Sequence, residues 1–423
     1  MRVKLAYGRE GLEVALPETA AVTIIEPVYV AGLGDEQSAL AEALAHPMGA
    51  PPLRDLVGRD DTVAVVFSDI TRPMPNDRVL PVLLAALGAA GVPDERITLI
   101  NALGTHRIQT QEELDRMLGA QVARRYRIVQ HDAWDDANLV AVARNRAGRM
   151  VRVHRAYVEA SVRILTGFVE PHFFAGYSGG PKAVLPGIAD IESILDNHGA
   201  RMLAHPQTTW ATARGNPLWE EICEVALATQ PTFILNVTLN RDRAVTGVFA
   251  GDMLVAHRAA REFVRAHALQ PVAAPFDVVL TSNSGYPLDL NLYQAVKGMS
   301  AAAQIVKPGG DIVIAAECWD GIPAHGEYGR LLREARSVDD LLTTITAPGF
   351  RCHDQWEAQI QAQIQQKARV HVYAGGLTDA QLREAQVIPC RSIEERLTAL
   401  LADRPGATLA VLPEGPQTVP YVA

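Results

Sequence analysis

The sequence predicts an α/β protein of two α/β domains, with mainly parallel sheets and an active-site cleft between the domains. Continuous apolar runs such as Thr62–Phe67 are typical of parallel strands that are covered on both faces. Segments with helical periodicity separate these runs, as in strand–helix–strand crossover units. At about 150 residues per domain, the 423 residues are enough for two or three domains. A cleft between domains is a common place for a ligand site.

The first part of the chain alternates predicted strands and helices. Residues 1–30 alternate short apolar runs with polar residues and predict strands, and Leu40–Leu44 predicts a helix that ends before Pro47. The expected crossover units contain strands at Thr62–Phe67, Ile97–Ala102, Val162–Gly167 and Phe233–Leu239, and helices at Val79–Ala90, 110–119, Ile188–His198 and Gly251–His267. A loop rich in glycine and proline is expected from Pro171 to Gly187.

Residues 268–276 carry two prolines and no regular periodicity, so we place the domain boundary there. This division predicts an N-terminal domain over 1–270 and a C-terminal domain over 271–423. The last ten or so residues are expected to pack back on the N-terminal domain. The elements predicted after the boundary are a strand at Asp277–Ser282, a helix at Leu290–Ile305, a turn at Lys307–Gly310, and strands at Asp311–Ala316, Arg369–Tyr373, Val387–Cys390 and Thr408–Leu412.

The charge, cysteine and hydropathy patterns exclude several classes of protein. The net charge is 39 minus 48, or −9, without an evident basic face, which argues against a nucleic-acid partner. Four well-separated cysteines without a Cys-x-x-Cys pair favour a reduced, cytoplasmic protein. The N-terminus lacks an apolar signal core, and Pro81 and Gly88 interrupt the uncharged run over Val79–Val92, so neither secretion nor membrane insertion is expected.

Two short polar motifs follow predicted strands. Asp69, Thr71 and Arg72 come directly after the apolar run that ends at Phe67, at the strand end where open sheets bind ligands. Arg72 could hold a carboxylate or phosphate through two hydrogen bonds, although Asp69 and Thr71 could equally cap the next helix. His106 lies at the corresponding position one crossover later, where it could act as an acid or base, or merely cap a helix.

The densest motif runs from Glu170 to Lys182 and is followed by Asn197 and His198. With Gly187, which follows it, the motif places four glycines and a lysine between a strand and a helix, a general arrangement for holding a phosphate on backbone N–H groups. The motif is not a Walker A loop, because Pro181 stands where glycine is required and Ala183 where Ser or Thr would hold magnesium. A purely structural loop is the alternative. No glycine fingerprint for a dinucleotide follows a strand, and no histidine–carboxylate set has zinc spacing.

Lysine is rare in this chain: of 39 basic residues, five are lysines, so Lys182 and Lys297 stand where arginine is the rule. An amine can act as a nucleophile, whereas a guanidinium cannot at ordinary pH. Gln294 and Lys297 are three residues apart and share one helix face, which could bind an anionic substrate or could simply be solvated. Trp356 could form a pocket wall, although a single tryptophan is more often part of a core.

Taken in order and at these spacings, the segments SDITRP (68–73), GTHR (104–107), PHFFAGYSGGPK (171–182), NH (197–198) and QAVK (294–297) resemble the lactate racemase family, whose members depend on a nickel-pincer nucleotide. The resemblance extends from about residue 5 to the C-terminal segment Leu412–Pro416. It implies two α/β domains with the active site in the cleft: the domain over 1–270 binds the cofactor and carries the catalytic residues, and the domain over 271–423 closes over the cleft. Every functional residue that we match to the family is present.

The resemblance implies a cofactor: nickel bound to pyridinium-3-thioamide-5-thiocarboxylic acid mononucleotide. By position, Lys182 would carry the nucleotide through a thioamide and His198 would bind the nickel, whose other ligands are two sulfurs and a ring carbon of the cofactor. This arrangement accounts for the missing metal motif. The residues expected around the nucleotide are Asp69, Thr71, Gly176, Ser178, Gly179 and Gly180. The resemblance also implies maturation enzymes as partners, because protein made without them should lack the cofactor.

The implied reaction inverts C2 of a 2-hydroxy acid, lactate or a related acid, by reversible hydride transfer through a 2-keto acid. His106 and His172 match the two catalytic bases, and an inversion needs a base on each face of the substrate. The expected substrate contacts are Arg72, Gln294, Lys297, Tyr293 and Trp356. The alternatives are a sugar-acid C2 epimerase with the same cofactor, an oxidoreductase that releases the keto acid, and a non-catalytic protein that binds carboxylates or nucleotides.

Overall fold

Two six-stranded sheets form the framework of the computed structural model, which describes residues 1–17 and 21–423. The strands, in chain order, are β1 (Arg2–Leu5), β2 (Leu12–Ala15), β3 (Ala21–Ile24), β4 (Val63–Ser68), β5 (Ile97–Ala102), β6 (Arg127–Gln130), β7 (Leu139–Arg144), β8 (Met150–His154), β9 (Val162–Phe168), β10 (Pro171–His172), β11 (Gly176–Tyr177), β12 (Phe233–Leu239), β13 (Val245–Gly251), β14 (Leu269–Val272), β15 (Phe276–Ser282), β16 (Val306–Ala315), β17 (Ala368–Tyr373), β18 (Ile388–Pro389), β19 (Thr408–Leu412) and β20 (Val419–Val422).

Helices cover both sheets. They are α1 (Glu36–Ala45), α2 (Leu53–Leu56), α3 (Asn76–Ala89), α4 (Gln111–Leu118), α5 (Ala120–Arg125), α6 (Arg155–Val158), α7 (Ile191–Asn197), α8 (Ala200–Leu203), α9 (Pro217–Ala228), α10 (Met253–Ala268), α11 (Leu292–Ala303), α12 (Tyr328–Glu334), α13 (Val338–Ile345), α14 (Gln355–Lys367), α15 (Asp379–Glu384) and α16 (Ile393–Ala402). Short 3₁₀ turns lie at Asp94–Arg96, Asp136–Asn138, Gly180–Ala183 and Gly415–Gln417. Within the described ranges, none of these helices combines the length and apolar character needed to cross a bilayer.

The first sheet has the strand order β13-β12-β9-β4-β5-β6, and all neighbours are parallel except the edge pair β12–β13. Every residue of β4 from Val63 to Phe67 is buried. The apolar run that defines this strand is therefore covered on both faces, as the parallel-sheet prediction requires. The α/β fold class is confirmed.

The second sheet has the strand order β18-β17-β16-β15-β19-β3, with parallel pairing throughout. Its edge strand β3 comes from the start of the chain, and β20 at the end of the chain pairs with β14. Residues 21–24 therefore share a sheet with the second half of the chain. The division of the chain at residue 270 stays a prediction.

Some predicted elements have different bounds in the structure. Lys307–Gly310, where a turn is expected, lie inside the bounds of β16, but the pairing with β15 passes from Val306 to Asp311 and leaves them out, and Gly309 has φ +75°. The helix expected from Ile188 begins at Ile191, because the Asp190 side chain accepts the Ser193 N–H and caps it there. The β7–β8 hairpin and helix α9 were not predicted.

Two helices of the second half, α11 and α14, pack against each other and are buried along most of their length. Both also touch the first half of the chain. Trp210 Nε1 donates to Ser300 Oγ on α11 at 3.0 Å, and Gln359 Nε2 on α14 donates to the Ala200 carbonyl at 3.1 Å. These two helices therefore face the carboxyl ends of the first sheet across a shared boundary.

Candidate functional site

A cavity of about 950 Å³ lies between the ends of the first sheet and helices α11 and α14. The loops that follow the neighbouring strands β4, β5 and β9 form one side, as expected for the carboxyl ends of parallel strands. The cavity brings together most of the predicted site residues: Asp69, Arg72, His106, His172, Ser178, Gly179, Lys182, His198, Tyr293, Gln294, Lys297 and Trp356.

His106 is held by a buried carboxylate. Its Nδ1 lies 2.6 Å from Asp69 Oδ2, and Asp69 Oδ1 accepts the Thr71 hydroxyl at 2.8 Å. Burial by itself would raise the pKa of Asp69, but the charge and hydrogen bond of His106, with Arg72 and Thr71, bring it below its usual value. The ionised carboxylate keeps the proton of a neutral His106 on Nδ1, so Nε2 is left as the basic atom.

The helix-capping alternatives for these residues are not supported. Helix α3 has no side-chain cap, and α4 is capped by Thr110 in a capping box with Glu113. Asp69, Thr71 and His106 instead bond one another. Thr71 contributes through Asp69 and is not among the described residues that line the main cavity.

His172 is fully buried and lies beside Lys182. Its Nδ1 accepts the Ala175 backbone N–H at 3.2 Å, so the proton of the neutral ring lies on Nε2, which is 3.4 Å from Lys182 Nζ. Burial, followed by the charge of Lys182, brings the pKa of His172 well below its ordinary value. Burial, with Arg72 and Lys297, likewise lowers the pKa of Lys182 far below that of a free lysine, which favours the neutral, nucleophilic amine.

The glycine-rich loop uses its polar backbone internally. The Ser178 N–H donates to the Glu170 carbonyl, the Gly180 N–H to Asn236 Oδ1 at 2.9 Å, and the Lys182 N–H to the Gly179 carbonyl. These three N–H groups are therefore not free to hold a phosphate in this structure, and phosphate binding by the loop stays a prediction. Gly179 and Ser178 still line the cavity, so their contact with a cofactor stays a prediction.

Gly176 and Gly180 are not among the described residues that line this cavity, and packing explains why they are glycines. Gly176 has φ +78°, and a Cβ atom there would lie 2.1 Å from the Thr212 carbonyl oxygen. A Cβ atom on Gly180 would lie 2.5 Å from the His257 ring. Both glycines shape the loop that presents His172 and Lys182.

His198 lies in an aromatic corner of the cavity. Its ring meets Phe174 at 5.1 Å and Trp356 at 5.2 Å, both edge to face, and its buried Nδ1 has no hydrogen-bond partner within the described residues. Trp356 is fixed in turn, because its Nε1 donates to the Tyr293 hydroxyl at 2.7 Å. Trp356 is thus buried, as expected of a core residue, and it also forms a wall of the cavity, so both interpretations of this tryptophan hold.

The second half of the chain adds an amine to the site. Lys297 Nζ donates to Gln294 Oε1 at 2.8 Å. The Asn291 side chain accepts the Gln294 N–H and so caps the start of α11, the helix that carries both residues. Both side chains are buried, so the solvated-face alternative is wrong. Burial, followed by Arg72, lowers the pKa of Lys297 to about 8. Arg72 Nη1 is also buried without a partner in the described chain, so an anion can still bind it.

Sequence reasoning missed three acidic residues near the site. Glu357 lines the cavity beside Trp356, is 2% exposed, and has a pKa that burial raises. Glu170 is buried near Lys297, Arg72 and Lys182, and Asp354 lies just before α14. Glu170 belongs to the dense motif, whereas no local pattern singles out Glu357 or Asp354, because their neighbours in space are far away in the sequence.

The described residues contain no group of three or more His, Cys, Asp or Glu side chains arranged to hold a metal ion. A metal at this site would therefore take most of its ligands from another molecule. The four cysteines are free, and Cys318 and Cys390 are buried.

Comparison with known proteins identifies the family. A family model for the lactate racemase N-terminal domain matches residues 7–211, and one for the lactate racemase C-terminal domain matches residues 272–419. The lactate racemase of Thermoanaerobacterium thermosaccharolyticum is 33% identical over 400 residues, which cover 93% of each chain. That of Lactiplantibacillus plantarum is 34% identical over 383 residues, which cover 90% of each chain.

Solved structures agree with this match. The lactate racemase apoprotein of T. thermosaccharolyticum superposes with a TM-score of 0.91 at 31% identity, covering 99% of this chain and 100% of the other. A crystal structure from Thermotoga maritima, with a TM-score of 0.72 at 19% identity over 93% of this chain and all of the other, shares the fold. This chain therefore belongs to the lactate racemase family and is an isomerase.

Proposed function

We propose that this protein inverts C2 of a 2-hydroxy acid, with lactate as the first substrate to test, by reversible hydride transfer through a 2-keto acid. The observation that carries the proposal is the pair of histidines on one cavity, each fixed independently: His106 by Asp69, and His172 by the loop backbone. The two relatives at 33% and 34% identity are both named lactate racemase, which supports lactate among the possible 2-hydroxy acids.

The side chains of the site fit a nickel-pincer nucleotide. The buried Lys182 amine has a pKa far below that of a free lysine, as attachment through an acyl bond requires. The unpartnered ring nitrogen of His198 leaves its imidazole available as a single protein ligand. The absence of a metal cluster in the described part of the chain agrees with a cofactor that supplies the other ligands itself. When bound, the cofactor would accept the hydride from C2 and return it.

The two histidines move the hydroxyl proton. For one enantiomer, Nε2 of His106 takes the proton from the substrate hydroxyl while Asp69 stabilises the resulting imidazolium. After the planar keto acid turns over, a protonated His172 gives a proton from Nε2 to the keto oxygen; this form requires the Ala175 N–H to leave Nδ1, which then keeps the remaining ring proton. The opposite enantiomer uses the same atoms in reversed roles, as microscopic reversibility demands.

The cations of the site hold the substrate carboxylate. Arg72 follows β4 and Lys297 lies on α11, so an acid bound between them contacts both halves of the chain. A charge-assisted hydrogen bond to a carboxylate contributes about 1.5–3 kcal/mol. The carboxylate would thus remain fixed while the keto group turns between the two histidines.

The test needs protein produced together with nickel and the cofactor-making enzymes, which we expect as its partners. Intact mass of the chain reports a nucleotide-sized adduct, and Lys182→Ala should lack it. Each enantiomer of lactate is then incubated with the loaded protein without added NAD, and chiral chromatography follows the other enantiomer. A panel of malate, larger aliphatic and aromatic 2-hydroxy acids and sugar acids identifies the preferred substrate.

The controls separate the competing functions. His106→Ala should abolish inversion without changing the adduct mass, whereas a binding protein would keep its function. Release of keto acid in step with loss of substrate would indicate an oxidoreductase. Loaded protein that inverts no acid of the panel would refute the proposal. The cytoplasmic location stays a prediction.

A further inference from the structure

A racemase with two bases must reset its protons after each turnover, and this requirement rests on the function proposed above. Inversion of one enantiomer leaves the substrate proton on Nε2 of His106 and removes one from Nε2 of His172. The next turnover in the same direction cannot start until His106 loses that proton to water and His172 regains one from water. The reset is a separate chemical step that needs a path for protons.

A second cavity of about 450 Å³ adjoins the main cavity and shares His106, Tyr293 and Gln294 with it. Its walls also carry Asp354 and His325. His325 is exposed on its outer side, whereas Asp354 is 4% exposed. The second cavity therefore extends from His106, whose side chain is itself partly exposed, past one buried carboxyl group towards solvent. Most of its wall is apolar, and bridging water molecules would bind at the polar atoms of His106, Asp354 and His325.

Asp354 is held in place at the start of α14. Its backbone has φ +63°, in the left-handed region that Asp and Asn tolerate better than most residues, and Oδ2 accepts the Glu327 N–H at 3.1 Å. Its Oδ1 lies 3.1 Å from Nε2 of His353, a ring that packs against the exposed Trp134 at 5.2 Å. Nε2 of His353 makes no hydrogen bond within the described residues, so a proton that passes between Asp354 and this histidine needs a bridging water molecule.

The chemistry of Asp354 suits this exchange. Burial raises its pKa to about 6, close to the ordinary value of an imidazole, although the positive charge of His106 opposes the shift. A carboxyl group with this pKa can both take up and release a proton near neutral pH. The titratable groups that face Asp354 are His106, Tyr293, Glu327, Tyr328, Cys352, His353 and Glu357.

We infer that Asp354 is the proton-exchange group that resets His106 between turnovers. The imidazolium of His106 gives its Nε2 proton through cavity water to the Asp354 carboxylate, which becomes a carboxylic acid. Asp354 then releases that proton to water, directly or by way of His353 or His325. Water returns one proton to His172, so the enzyme regains its starting state with no net change. Asp354 touches neither the substrate nor the cofactor in this role.

The test uses Asp354→Asn in the loaded enzyme, since asparagine suits the left-handed backbone and keeps an oxygen for the Glu327 N–H. Initial rates are measured in both directions over a wide range of substrate concentration, with imidazole added as a proton carrier up to about 100 mM. We expect kcat to fall by about tenfold or more while kcat/KM changes by less than about twofold, because the reset limits the rate only at saturation. Added imidazole should restore kcat.

Asp320→Asn is the matched control, because Asp320 lines the same cavity and is in reach of Asn291 Nδ2 at 3.4 Å. It should leave kcat, kcat/KM and the response to imidazole unchanged. In the chain without cofactor, difference infrared spectra between about pH 5 and about pH 8 should show a carboxylic-acid band that Asp354→Asn removes.

A parallel loss of kcat and kcat/KM in Asp354→Asn, with an unchanged melting temperature and adduct mass, would overturn the inference and assign Asp354 a structural role. An unchanged kcat, or a loss that imidazole does not repair, would also overturn it while leaving the proposed function standing. Loaded wild-type enzyme that inverts no 2-hydroxy acid would refute the proposed function and this inference together.

Discussion

Replacement of Asp69 by asparagine tests how the structure activates His106. The carboxylate binds His106 Nδ1 at 2.6 Å and accepts the Thr71 hydroxyl on its other oxygen. An asparagine keeps the shape of the side chain but can donate an amide N–H to Nδ1. The ring proton then moves to Nε2, and the atom that should accept the substrate proton is blocked.

The size of the effect follows from this geometry. The charge-assisted hydrogen bond contributes about 1.5–3 kcal/mol, equivalent to about a 10- to 150-fold change in rate. Reversal of the tautomer adds to this, and the same carboxylate-to-amide change in a Ser-His-Asp triad lowers kcat about 10⁴-fold. We therefore expect Asp69→Asn to lower kcat by about 10²- to 10⁴-fold for both enantiomers, with little change in KM.

The assay is chiral chromatography of each lactate enantiomer with protein matched for adduct mass. Thr71→Val is the matched control, since it removes one hydrogen bond to Asp69 but leaves the carboxylate and the His106 tautomer in place. The Thr71→Val substitution should lower kcat by about threefold to tenfold. If Asp69→Asn stays within about threefold of wild type in both directions, Asp69 does not set the proton position of His106, and the reasoning fails.

Three further predictions concern the loop, the second sheet and the substrate. Gly176→Ala should lower the free energy of unfolding by about 3 kcal/mol in urea titrations, because its Cβ would overlap the Thr212 carbonyl; an unchanged midpoint would contradict this. Burial alone would raise the pKa of Asp277, but bonds from Thr408 and Lys307 lower it to about 2. The stabilisation from this carboxylate is present above about pH 4 and is lost as the carboxylate is protonated. Asp277→Asn should therefore lower the free energy of unfolding by about 1 kcal/mol at neutral pH, after allowance for solvent screening, and should not change it near pH 2. Equal losses at both pH values would refute this reasoning. Lys297→Met should raise KM for lactate by about 10- to 100-fold through loss of the carboxylate contact, and an unchanged KM would place the anion elsewhere.

The sequence predicted the first sheet well because its strands carry their own signal. Val63–Ser68 and Ile97–Ala102 are apolar runs that parallel strands require, and polar residues follow directly at the strand ends. The predicted site residues after these strands meet in the cavity for the same reason. Residues that follow the carboxyl ends of neighbouring parallel strands lie at the same edge of the sheet.

The limits of the sequence prediction have equally physical causes. The cluster of proline and glycine at Lys307–Gly310 predicts a turn; these residues lie inside β16, but the pairing with β15 passes from Val306 to Asp311 and leaves them out. The glycines of the dense motif predict a phosphate cradle, which stays a prediction, and their packing partners Thr212, Asn236 and His257 lie at least 30 residues away in the sequence. Local patterns carry no information about such partners.

The division of the site between the two halves of the chain explains how one cavity can serve an inversion. Both histidines belong to loops of the first sheet, whereas Lys297 lies on α11, which Trp210 ties to the first half through Ser300. In the proposed reaction the carboxylate stays between Arg72 and Lys297 while the keto group turns from one histidine to the other. A site on a single sheet edge would present acids, bases and anion-binding groups from one side only. The second half supplies the opposing side, so neither half would form this active site alone.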